Sequence, residues 1–165
     1  MQKLPTRAPG LPTSPPTIEA TVFARVLRRD TDLALTTLFF DDGELRVPMT
    51  EHPVDAAVQV RIDARDVSIA LSRPMDVSIT NRLPGEIVEI EYLMPPYVRV
   101  TFDLGKTRIH SLITNESVER LALVLGLRAW AMIKAVAISE RNLKPDCAPH
   151  PRPWPAARNS DPEKL

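Results

Sequence analysis

The stretch VRVTFDLGKTRIHSLIT, residues 98–114, decides the fold. Val98, Val100, Phe102 and Leu104 alternate with Arg99, Thr101 and Asp103, so apolar side chains fall on one face of an extended chain. Gly105 and Lys106 interrupt the alternation and TRIHSLI resumes it, which predicts a β-hairpin. An equivalent unit precedes it: LALTTLFF at 33–40, the turn DDG at 41–43 and ELRVPM at 44–49. TVFARVL, AVQVRI, DVSIAL, EIVEIEY and RAWAMIK read as further strands.

One segment departs from period two. Val118, Leu121, Ala122 and Leu125 follow helical spacing, so NESVERLALVL, residues 115–125, predicts a short amphipathic helix. Thr114 or Asn115 can cap its start, and Gly126 sits where a C-terminal glycine belongs. The two halves repeat each other: a strand (ARVL or GEIVEI), a hairpin, then VQVRIDARDVSIAL or LRAWAMIKAVAIS. Two such units predict a mainly β protein of tandem OB-like β-barrels with one short helix.

Proline marks the ends. Five of the 17 prolines fall in residues 1–17 and six in residues 142–165. The expected organisation is a disordered segment at 1–17, a first OB-like subdomain at 18–72, a second at 73–140 and a disordered tail at 141–165. The balance of 21 basic against 21 acidic residues argues against a nucleic-acid partner, which favours a basic excess. Cys147 is the only cysteine, which suits a reducing compartment. The longest apolar run, LALVLGL, falls well short of the roughly 20 residues of a membrane span. No signal-peptide core is present, and the expectation is a soluble, cytoplasmic protein.

Catalytic motifs are missing. The five glycines form no phosphate-cradling G-x-x-x-x-G-K-[ST] loop, and no G-x-S-x-G occurs. Cys147 and His150 are two ligands where a structural zinc needs four, and DDGE at 41–44 reads as a hairpin turn rather than a calcium loop. The expectation is therefore no enzyme and no metal. Three polar clusters remain. Ser78, Thr80 and Asn81 precede a Pro-Gly pair, Thr114, Asn115 and Ser117 surround the helix start, and Lys134 stands among apolar neighbours. Hydroxyls, an amide and an ammonium form a donor-rich set suited to a fully deprotonated oxyanion. The residues alone favour the plainer reading of a strand start, a helix cap and a surface lysine.

The chain from ARVL to AVAIS resembles the C-terminal Mop or TOBE regulatory region of the ATPase subunit of bacterial molybdate ABC importers. The resemblance is carried by VQVRIDARDVSIALSRP, SITNRLPGEIVEI, VRVTFDLGKTRIHSLIT, NESVERLALVLGL and RAWAMIKAVAIS, in that order. It implies two OB-like units that bind molybdate or tungstate at sites built between protomers, with no other cofactor. The family's S-x-[RQ]-N segment matches Ser78 and Asn81, with Thr80 where many relatives carry arginine. Its helix-start residues match Thr114 and Ser117, and its K-[AS] ending matches Lys134 and Ala135.

The resemblance implies a homodimer or higher homo-oligomer and a transporter ATPase or permease as partner, hence a peripheral place at the inner membrane without insertion into it. The family's preceding ATPase domain is not in this sequence, which implies a stand-alone module or a split or truncated product. A second expectation stands beside the first: a dimerisation or docking module for a separate ATPase, with no ligand of its own. A third is an OB-type nucleic-acid binder.

Overall fold

The computed structural model describes residues 14–147. Ten strands fall into two five-stranded sheets. The first unit runs β1 (Glu19–Asp30), β2 (Leu35–Phe40), β3 (Gly43–Pro48) and β4 (Ala57–Asp63), followed by a 3-10 turn at Ala64–Asp66 and β5 (Val67–Ala70). The second runs β6 (Asn81–Tyr92), β7 (Tyr97–Asp103), β8 (Arg108–Thr114), helix α1 (Asn115–Arg120) and β9 (Arg128–Ile133). Two 3-10 turns, Ala135–Ala137 and Glu140–Asn142, then lead to β10 (Leu143–Pro145). Both hairpins expected from period two are present, and the mainly β, tandem OB-like architecture is met.

The sheets do not divide where the sequence divides. Their strand orders are β10-β4-β1-β2-β3 and β5-β9-β6-β7-β8. Thus β5, from the segment expected to belong to the first subdomain, pairs antiparallel with β9 of the second sheet, Val67 opposite Ile133 and Ala70 opposite Trp130. Reciprocally, β10 pairs with β4, Leu143 opposite Val60, so residues 143–145 belong to the first sheet and not to a tail. The expectation of disordered ends otherwise falls largely on residues 1–13 and 148–165, which lie outside the described residues, as does His150.

The long first strand of each unit is built alike. In β1 the side chains of Ala20, Val22, Ala24 and Val26 are buried and those of Thr21 and Phe23 exposed. A bulge at Leu27 shifts the β1–β2 register, and one at Val88 does the same between β6 and β7. Such bulges bend and twist a strand, which lets a short sheet curl around its own core. That core is one cluster, with Leu38, Phe40 and Leu45 from one unit and Ile87, Phe102, Ile109 and Ile133 from the other.

The helix is shorter than its sequence pattern. It stops at Arg120, and Ala122 takes the left-handed conformation (φ 50°) expected of Gly126. The Leu123 N–H donates to the Val118 carbonyl and the Ala122 N–H to that of Glu119, both at 3.0 Å, which satisfies the carbonyls of the last turn. This turn buries Leu123 in the core, while Leu125, the fourth apolar position of the helical pattern, is left 64% exposed. Gly126 does have positive φ (83°), but its N–H goes to Ile87 of β6 at 2.7 Å.

The two hairpin turns lock together. Asp42 in the first turn accepts the backbone N–H groups of Lys106 (2.9 Å) and Thr107 (2.7 Å) in the second. Gly105 beside them has φ 132°, and a Cβ there would stand 2.5 Å from the Asp42 carboxylate. Gly105→Ala should therefore destabilise the fold by more than about 1 kcal/mol, because strained backbone and a displaced carboxylate act together. A urea midpoint equal to that of the parent would contradict this.

His110 in β8 pairs its Nδ1 with the Thr101 hydroxyl at 2.9 Å. Burial, and then the positive charge of Arg99, holds the imidazole below its ordinary range, with Glu89 opposing. The unfolded chain thus binds more protons below about pH 6.5, so stability is fully present above that value and falls as the pH drops through the folded pKa. The urea midpoint is expected to decline between pH 7 and pH 5, and less steeply in His110→Gln. Parallel profiles would remove His110 from the acid response.

Candidate functional site

β9 positions the lysine. Ala129, Ala131 and Ile133 point into the core, which sends Met132 and then Lys134 to the outer face. Lys134 ends the strand in extended backbone (φ −62°, ψ 135°) and precedes the turn at Ala135–Ala137. β9 is flanked on one side by β5, with Ser68 opposite Met132, and on the other by β6, with Asn81 opposite Ile133. Where these three ends converge there is a cavity of about 180 Å³ lined by Lys134, Met132 and Ala137, by Ile79, and by Arg65, Asp66 and Ser68. Among the described residues the Lys134 ammonium makes no hydrogen bond or ion pair.

The residues singled out in the sequence do not all meet here. Lys134 lines the cavity and Ala135 follows it at the start of the turn. From the SITN segment it is Ile79 that lines the cavity, while its neighbours Ser78 and Thr80 are exposed. Asn81 is buried and bonded to β3: its Oδ1 accepts the Arg46 N–H at 2.7 Å and one N–H of its Nδ2 donates to the Arg46 carbonyl at 2.9 Å. These bonds fasten β6 to β3 of the first sheet. Thr114 caps α1 by accepting the Ser117 N–H at 3.2 Å, and its hydroxyl donates to the Ser117 Oγ at 3.2 Å.

Register separates the two groups. Thr114 pairs with Tyr97, next to the Val98–Tyr92 pair, so it lies at the opposite end of β6 from Asn81. Within one chain the helix start and Lys134 are apart.

Two residues missed in the sequence matter: Arg65 and Asp66, both from the first unit. Asp63 accepts Arg65 Nη2 at 2.7 Å and Nε at 3.1 Å and also caps the 3-10 turn by accepting the Arg65 N–H at 2.8 Å. The guanidinium holds the Asp63 carboxyl below its usual range. Burial, and then the charge of Asp63, pushes the Asp66 carboxyl up. The ARD triplet was visible in the sequence, but only the exchange of β5 carries it to the second sheet.

A second cavity, of about 560 Å³, occupies the corresponding place at the end of β4, between Glu19, Asp63, Arg61, Arg65 and Arg141. Among the described residues no group of three or more His, Cys, Asp or Glu side chains is placed to hold a metal ion.

Comparison with known proteins places the second unit within a recognised domain. Residues 77–139, which hold β6 to β9 and Lys134, match the model of the TOBE domain. The chain is 38% identical over 123 residues to the molybdenum import ATP-binding protein ModC of Mesorhizobium japonicum, a match covering 74% of this chain and 33% of that protein. It is 40% identical over 120 residues to ModC of Paramagnetospirillum magneticum, with 73% and 33% covered. The chain thus spans about a third of the length of the curated relatives it matches. Among solved structures, the molybdate-bound cytoplasmic protein ModG has the same fold, with a TM-score of 0.64 at 23% identity over 72% of this chain and 92% of that one.

Removal of the Asn81 amide should be read out as stability. Asn81→Ala leaves the Arg46 N–H and C=O without partners in a partly buried place, at a cost of about 1–3 kcal/mol. A chemical-denaturation midpoint within error of the parent would show that the fastening is dispensable.

Proposed function

We propose that this chain is an oxyanion-binding regulatory module of molybdate import, taking molybdate or tungstate and catalysing no reaction. The observation that carries the reading is the unpartnered Lys134 ammonium at a cavity it shares with Arg65 and Ser68, inside the segment that matches the TOBE domain. The cavity offers two cations and a hydroxyl, donors that suit an anion whose oxygens only accept. The relatives' names, which assign them to molybdenum import, and the molybdate bound to ModG support the choice of anion.

The separation of Thr114 and Ser117 from Lys134 within one chain supports a homodimer or higher homo-oligomer. In that assembly the helix start of one copy meets the Lys134–Ala135 end of another, beside which that second copy's own Ser78 and Thr80 are exposed. Asn81 contributes by fixing the strand beside the pocket. The module works in the cytoplasm, reaching the inner membrane through an ATPase or permease of the transporter.

Asp66 favours the competing reading. Its carboxylate lines the same cavity and opposes a dianion, as expected of a dimerisation or docking module without a ligand. A thermal-shift titration separates the two. Molybdate at about 100 times its dissociation constant should add roughly 2.7 kcal/mol of stability, sulfate and phosphate should add much less, and Lys134→Ala should lose the shift while remaining folded. No shift with either molybdate or tungstate would assign the module to docking alone.

A further inference from the structure

The ends of β4 and β9 are counterparts. Glu19 pairs with Asp63 and Ala20 with Ile62 in the first sheet, as Asn81 pairs with Ile133 in the second. Asp63 (φ −74°, ψ 130°) and Lys134 (φ −62°, ψ 135°) each leave the strand in extended backbone and each precede a 3-10 turn. The same place in the repeat therefore carries opposite charges: an anion at the first cavity and a cation at the second.

Arg65 lines both cavities. Asp63 engages its Nε and Nη2 only. A guanidinium has five N–H donors, so three are left for another oxygen ligand. Thr80, beside Lys134 on the β6 side, contributes no charge, and Lys134 alone leaves a dianion half neutralised.

We infer that Arg65 is the second cation of the Lys134 pocket and that Asp63 acts as an internal competitor which holds Arg65 in the absence of an oxyanion. This rests on the reading of the Lys134 cavity as an oxyanion pocket. Arg65 shares its charge between the Asp63 carboxylate and the bound anion, so the Asp63 charge sets how tightly the anion is held. The affinity of the second unit is thereby tuned by a residue of the first.

Calorimetric titration of the full chain with molybdate at low ionic strength, where exposed charges are least screened, tests this with five proteins: the parent, Arg65→Ala, Arg65→Lys, Asp63→Asn and Lys134→Ala. Arg65→Ala should weaken binding by about tenfold or more, and Arg65→Lys should recover part of the loss, since a point charge replaces a forked one. Asp63→Asn, which can still cap the turn, should tighten binding by about threefold or more.

The opposite directions are decisive. If Arg65 merely braced the turn, breaking the pair from either side would shift affinity the same way, and that result overturns the inference. So does loss of binding in Lys134→Ala together with unchanged affinity in Arg65→Ala, which keeps the pocket and removes Arg65 from it. Absence of molybdate binding in both the parent and Asp63→Asn would discard the pocket itself and the inference with it.

Discussion

The outer backbone edges of β4 and β9 carry N–H and C=O groups that need partners, and in both cases the partner comes from the other unit. β5 covers β9 and β10 covers β4. An unpaired edge is costly when buried and adhesive when exposed, so neither sheet is complete without the reciprocal exchange. The remaining links between the units follow the same logic. The Ser111 hydroxyl of β8 donates to the Val67 carbonyl of β5 at 2.6 Å, Asn81 closes on Arg46 of β3, and Asp42 holds the opposite turn. These are hydrogen bonds to backbone, which fix register as well as proximity. The two units are one structural object.

That exchange also sets the electrostatics. Because β5 crosses to the second sheet, the ARD turn before it lies between the two cavities, and its charges act on both. Asp63 and Arg65 neutralise each other at short range, so the region keeps little net charge although it is dense in ions. Lys134 has no such partner among the described residues. Its place on the outer face follows from the alternation of β9, and the segments that flank it bring no carboxylate close enough to form an ion pair.

The similarity to a family model over residues 77–139 describes the second unit, and the structure shows how far that unit depends on what precedes it. The pocket beside Lys134 is walled on one side by Ile79 and Met132 and on the other by Arg65, Asp66 and Ser68, which lie before the matched segment. A module cut at residue 77 would lose the strand that covers β9 along with half of its pocket.

Period-two alternation, turn residues and an internal repeat were enough to read the hairpins, the tandem β units and the polar clusters from the sequence. These are local properties, since a pleated strand and a tight turn are specified by neighbours within a few residues. The length of α1 was not legible, because helical spacing in NESVERLALVL is consistent with three turns and only the pull of Leu123 into the core ends it after Arg120. Nor was the role of Asn81, whose amide could serve a ligand or a distant backbone equally well until β3 is seen beside it. The sequence by itself determined which segments are strands and where the donor-rich polar clusters lie. Only the tertiary structure decided which of them meet, because strand exchange is a contact between segments 60 to 87 residues apart in sequence, and no local pattern encodes it.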